Sequence, residues 1–172
     1  IDSWVIWRLT GKRAHVTDAT NASRTSLMDL KTRAWREDLC VLFDVPIEAL
    51  PRIAGCAEIT GRSDPALFGR ALPIAGSAGD QQAALVGHGA LNPGDAKITY
   101  GTGAFLVANV GSEPVASKSR LLGTLGYQVG EDAAYALEGS IFSAGSAIQW
   151  LRDGVGMISE SRQSEAMAQG LK

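Results

Sequence analysis

Three short stretches carry residue types suited to chemistry on a phosphate or a hydroxyl. The first is Gly79-Asp80-Gln81-Gln82. It follows a run of small and apolar residues, 73–78, that reads as a buried strand, and it opens a helical pattern over 81–89. A glycine lets the chain turn sharply between the two. The free N–H groups and the dipole of a helix start favour a carboxylate anion, and ligands of open α/β sheets bind beyond such strand ends. Asp80 is therefore placed to take a proton from a hydroxyl attacking phosphorus, although the same residue also fits a simple helix cap. The second stretch is Thr99-Tyr100-Gly101-Thr102-Gly103. Two glycines around a threonine let backbone N–H groups converge on an anion, with the hydroxyl as a further donor. It is not a Walker motif, which the chain lacks, and it also fits an ordinary hairpin turn. The third is Glu138-Gly139-Ser140, followed by Gly145 and Gln149. The last two are four apart and share a helix face. A glycine there lets a flat ring approach the backbone and a glutamine can donate to it; plain helix packing explains them too.

The elements that must position these residues can be read coarsely. Residues 1–9 have helical spacing, with Trp4, Ile6 and Trp7 among the apolar positions, Asp2 or Ser3 as cap and Gly11 as stop. A helix in progress at Ile1 reads as a cut in a longer chain. Residues 15–25 read as a polar loop leading to a short strand at 26–29. Residues 37–43 are helical, 46–51 form a proline-bounded turn, 53–61 a strand with its turn, and 65–68 a short helix. Asn92-Pro93-Gly94 is a strong turn signal and the best place for a domain boundary. Strands are expected at 96–100, 104–110, 121–129 and 133–138, a helix at 142–152, and a weak helical pattern in the tail to 172. That order implies an α/β fold with a mixed sheet.

Composition narrows the class. The chain has 172 residues, enough for one ordinary domain or two small ones, and 45% are hydrophobic, enough for a packed core. The net charge is −2 and no Lys/Arg cluster stands out, so nucleic acid is not an expected partner. No apolar run reaches the ~20 residues of a membrane span, and the start does not resemble a signal peptide. Cys40 and Cys56 make neither a disulfide framework nor a metal-ligand spacing, and fit free thiols in a reducing cytosol. His15 and His88 have no partners in sequence and read as structural or surface residues. Arg24 is a cation suited to holding a buried carboxylate, whose identity the sequence leaves open.

Taken in order, Thr17-Asp18-Ala19-Thr20-Asn21-Ala22-Ser23-Arg24-Thr25, Gly76-Ser77-Ala78-Gly79-Asp80-Gln81-Gln82-Ala83-Ala84-Leu85, Thr99-Tyr100-Gly101-Thr102-Gly103, Tyr135-Ala136-Leu137-Glu138-Gly139-Ser140 and Ala147-Ile148-Gln149-Trp150-Leu151-Arg152-Asp153 resemble the FGGY carbohydrate kinases, in the form of their glycerol branch. The resemblance runs over residues 1–158. It implies two ribonuclease-H-like (actin-like ATPase) domains about a cleft, with residues 1–89 finishing the first, polyol-side domain and 90–172 beginning the second, nucleotide-side one. It implies ATP-dependent phosphorylation of glycerol to glycerol 3-phosphate, or of another polyol or ketose; a non-catalytic actin-like scaffold is the competing reading. By matching position, Asp80 resembles the catalytic base near the glycerol hydroxyl, also within reach of Mg2+ through water. Gln81 resembles a glycerol contact and Phe105 the apolar wall of the polyol pocket. Thr102 and Gly103 resemble the loop that meets the ATP phosphates, and Gly145 and Gln149 residues at the nucleotide. A cytoplasmic homo-oligomer is expected of the whole enzyme. The family's other phosphate loop, its Arg-Glu pair and its later glycine motif have no match here, so these residues alone are not expected to turn over glycerol. The short 64–73 stretch also puts regulation by a sugar bisphosphate in doubt.

Overall fold

The computed structural model describes residues 1–171. The first half is built from small pieces. Helix α1 (Asp2–Leu9) turns Ile6 into the interior. Its start carries no side-chain cap. Neither Asp2 nor Ser3 supplies the cap expected of one of them, and Asp2 instead accepts hydrogen bonds from the Thr17 hydroxyl (2.7 Å) and the Asp18 N–H (3.3 Å). The stretch expected to be a loop holds strand β1 (Val16–Asp18) and helix α2 (Ala19–Ala22). Asp18 caps that helix through its own side chain, so a run of short polar residues, loop-like in composition, becomes ordered by local side-chain bonds.

Two-stranded hairpins follow: β2 (Met28–Asp29) with β3 (Ala34–Trp35), and, after helix α3 (Glu37–Leu42), β5 (Gly61–Arg62) with β6 (Pro73–Ile74). Between them β4 (Arg52–Ala54) pairs in parallel with β1. Helix α4 (Pro65–Phe68) begins where Asp-Pro places it, with the Asp64 carboxylate accepting from Ala66 N at 2.9 Å. The buried strand expected at 73–78 is only two residues long, and the rest of that segment is irregular and largely exposed. Its smallness serves passage beside other backbone, not burial inside a sheet.

The second half is one sheet. Strands β7 (Ala96–Tyr100), β8 (Ala104–Gly111), β9 (Leu122–Val129) and β10 (Asp132–Ile141) lie in the order β7-β8-β10-β9, every pair antiparallel. The expected mixed sheet is thus antiparallel here; the parallel pair belongs to β1 and β4. Helix α5 (Asp80–Gly87) lies across this sheet. Its Leu85, fully buried, packs with Ala90, Val107 of β8 and Ala136 of β10. Ala19 of α2 packs with Leu125 and Tyr135. Helices α6 (Gly145–Asp153) and α7 (Gln163–Gln169) complete the described chain. Helix α6 starts three residues later than expected, and Lys172 lies outside the described residues. No helix among them is long and apolar enough to cross a membrane.

Residues opposite one another in antiparallel strands share a face. The register therefore puts Lys97, Val107 and Glu138 in one row, and Thr99, Phe105 and Ser140 in the next, on the face that carries α5. The other face presents Ile98, Tyr100 and Ile141, which are exposed. Because Leu85 joins helix and sheet with no accessible surface, Leu85→Ala is expected to lower stability by about 2–5 kcal/mol, measured by urea unfolding of this chain.

Candidate active site

Asp80 is the first residue of α5, with Gly79 in the cap position. This is one residue beyond a true cap, so the simple capping role does not hold. One Asp80 oxygen accepts from the Gln81 amide at 2.8 Å, and the side chain stands at the surface. The corner before it is fixed from below. Asp18 has no exposed surface. Its carboxylate accepts from Thr20 N (2.8 Å), the Thr20 hydroxyl, Asn21 N (3.2 Å), Asn21 Nδ2 (2.5 Å) and Ser77 Oγ (3.1 Å). The Thr20 hydroxyl, oriented by Asp18, accepts in turn from Gly79 N at 2.8 Å. A side chain at Gly79 would meet the Gln82 amide oxygen, so the buried Gln82 would have to move from its place beneath the turn. Gln82 continues the network by donating to Thr124 Oγ1 at 3.2 Å, which meets Ser23 Oγ at 3.0 Å.

The Gly101-Thr102-Gly103 loop joins β7 to β8 as a hairpin, with Gly101 N donating to the Gly103 carbonyl at 2.8 Å. The start of α6 docks on it. Gly145 N donates to Gly101 O (2.9 Å), and Thr102 O accepts from Ala144 N (2.8 Å), Ser146 N (3.1 Å) and Ser146 Oγ (3.0 Å). A Cβ on Gly145 would lie inside the contact radius of the Gly101 carbonyl oxygen. The expected nucleotide residues Thr102 and Gly145 are thus brought together, with Gln149 exposed one turn further along α6. Thr102 is itself exposed, and Gly103 is buried against the end of β10. Phe105 is half-buried on the α5 face of the sheet, opposite Thr99.

Two features escaped the reading of the sequence, and a third was read only in part, the Arg24 cation without its partner. Arg24 pairs with Glu138 at 3.2 Å, and the carboxylate is almost buried; nothing in a one-dimensional pattern links residues so far apart. Asp18 was passed over inside a polar run, although an Asp followed by Thr and Asn is a capping signature. Lys97 was passed over as a strand lysine. It is 3% exposed, and its ammonium donates to the Gln81 amide oxygen and to Thr99 Oγ1 (2.8 Å). Burial pushes its pKa below the usual lysine value, against the opposing pull of Asp80 and Glu138. The signal was the alternation Ala-Lys-Ile-Thr-Tyr, which puts Lys97 and Thr99 on the same face. Burial also pushes the Cys56 thiol up. Among the described residues no cluster of three or more His, Cys, Asp or Glu side chains could hold a metal. A concavity of about 650 Å³ lies on another side of α5, lined by Cys56, Ser77, Val86 and Tyr127 among others; neither Asp80 nor Thr102 is on its wall.

Residues 1–87 match the N-terminal domain of the FGGY family of carbohydrate kinases. The chain belongs to that family. A glycerol kinase of Ectopseudomonas mendocina is 52% identical over 98% of this chain, and the match covers 34% of that relative. The structure of a Plasmodium falciparum glycerol kinase with ADP superposes with a TM-score of 0.90 at 38% identity, over 98% of this chain and 34% of that one. A xylulose kinase from Rhodospirillum rubrum gives 0.78 at 25% identity, over 98% of this chain and 33% of its own. The chain thus spans about a third of the length of the FGGY kinases it matches. Its α/β architecture is theirs, the actin-like ATPase fold.

The Asp18 hub is what holds the Asp80 corner in place. Asp18→Ala is expected to cost about 2–4 kcal/mol by leaving several donors unpaired. Hydrogen exchange should show early loss of protection at the Gly79 amide, while Val107 in β8, between two strands, stays protected until global unfolding.

Proposed function

We propose that these residues form one wall of the active site of a glycerol kinase, which transfers the terminal phosphoryl group of ATP to a primary hydroxyl of glycerol and yields glycerol 3-phosphate. The observation that carries the reading is the joining of two sites by one strand. Lys97 ties the Asp80–Gln81 corner to β7, the strand that runs into the Gly101-Thr102-Gly103 loop. From Lys97 to Tyr100 the strand covers about 10 Å, which supports a reading with the acceptor at one end and the phosphates at the other. The 52% identity to a named glycerol kinase favours glycerol over a ketose.

In this reading Asp80 is the base. One of its oxygens accepts from the Gln81 backbone N–H, and the other accepts the hydroxyl hydrogen and orients the nucleophile. Gln81 contacts the polyol, and Phe105 walls the pocket with an apolar ring. Thr102 and Gly103 meet the phosphates; Gly145 and Gln149 lie at the nucleotide. Phosphoryl transfer runs through a loose, in-line transition state, so positioning and charge neutralisation supply most of the rate. Asp80 would hold Mg2+ through water, and the ion would supply neutralisation of phosphate charge. The division into a polyol-side domain over 1–89 and a nucleotide-side domain over 90–172 is supported by the family match ending at residue 87. A cytoplasmic location and a homo-oligomeric state complete the proposal.

The test is ADP release by a full-length chain containing these residues, with glycerol, D-xylulose and L-ribulose as acceptors. Glycerol-dependent turnover is expected, and Asp80→Asn should lower kcat by about 10²–10⁴ with the fold intact by circular dichroism. Turnover on a ketose alone would move the assignment to another FGGY kinase; none on any acceptor, in a folded protein, would favour the scaffold reading. In the same assay Gly145→Ala should raise KM for ATP by about tenfold or more, because the methyl group forces α6 off the loop, while KM for glycerol changes little.

A further inference from the structure

Lys97 is a buried cation that the proposed mechanism leaves unused. An ammonium has three N–H donors and no acceptor. One donor goes to the Gln81 amide oxygen and another to Thr99 Oγ1. Burial in the sheet-facing layer disfavours the charge, and the two carboxylates that act on it in return are Asp80 and Glu138. Glu138 is already engaged by Arg24. Among the described residues, the carboxylate acting on Lys97 that is paired with no other cation is Asp80, the one assigned as base.

The contact with Gln81 has a chemical consequence. A primary amide can accept through oxygen or donate through nitrogen. With its oxygen bound by an ammonium, Gln81 is fixed in one of its two orientations, and the NH2 group is the end left to face a ligand. The Asp80–Gln81 pair then offers an incoming diol two unlike partners: a carboxylate that accepts from the hydroxyl to be phosphorylated, and an amide that donates to the oxygen next to it. An amide free to rotate would offer either partner and hold the acceptor less well.

We propose that Lys97 is a positioning residue for the acceptor, acting through Gln81: it locks that amide as a donor and registers the Asp80–Gln81 corner against β7. The proposal rests on the polyol-kinase reading above and deepens it. Its signature is a split between kinetic parameters. In the full-length enzyme, Lys97→Met should raise KM for glycerol by about 10- to 100-fold, the size of a lost hydrogen bond to a charged group. KM for ATP should shift less than about threefold. Lys97→Arg, which keeps the charge and the donors, should recover part of the loss. In a Gln81→Ala background Lys97→Met should add little, since the two act as one unit.

A thermal melt of each variant separates positioning from folding. If Lys97→Met unfolds, Lys97→Arg alone decides: it must fold and show a raised KM for glycerol that Gln81→Ala does not compound. Equal KM for glycerol in wild type and Lys97→Met overturns the proposal, as does full additivity with Gln81→Ala. If the wild type phosphorylates a ketose and not glycerol, the glycerol reading fails by itself, and the same variants measured on that ketose still decide the role of Lys97. Absence of turnover on every acceptor overturns both.

Discussion

A carboxylate with no access to water needs its lone pairs filled, and Asp18 fills them with neighbours that lie far apart in the chain. Thr20 and Asn21 belong to its own helix turn, while Ser77 belongs to the segment before α5. Because the Thr20 hydroxyl is turned by Asp18, it can accept from Gly79 N. The α2 segment reaches further through Ser23 to Thr124 and through Arg24 to Glu138. One short polar run thereby ties the first half of the chain to the sheet of the second half. Had these bonds been apolar contacts, α5 could slide on the sheet; directional bonds fix it, and with it the start of the helix where Asp80 stands.

Much of the second half was legible from the sequence because its pattern is strong. The strand at 96–100 was placed to the residue, and those at 104–110, 121–129 and 133–138 differ from the structure at their ends. Alternation across a half-buried sheet and glycine-bounded turns give clear signals. The sheet's antiparallel character was not legible, because periodicity records which face a residue occupies and not the direction of its neighbour. The first half was harder. Residues 16–22 have the composition of a loop, and their order comes from bonds to Asp18. The 73–78 stretch has the composition of a core strand, yet it runs exposed beside Cys56.

The site shows the same division. Asp80 and Thr102 were singled out because glycine marks the sharp turns beside them. Lys97 was missed because a lysine in a strand is ordinarily solvated, and only the placement of α5 over β7 buries it. The Arg24–Glu138 pair was half found: the cation was recognised, and its partner depends on three-dimensional register.

The docking of α6 on the glycine loop has a consequence for electrostatics and for motion. Its first-turn amides, which in a free helix would be open to an anion, are already taken by the carbonyls of Gly101 and Thr102. The positive end of that helix is therefore quenched by backbone, and any charge brought to the loop must be answered by the loop's own amides, the Thr102 hydroxyl or cations from elsewhere. The same bonds couple the two elements mechanically. A tilt of the hairpin tip carries Gln149 with it, so whatever presses on one end of this assembly is felt at the other as a single rigid lever.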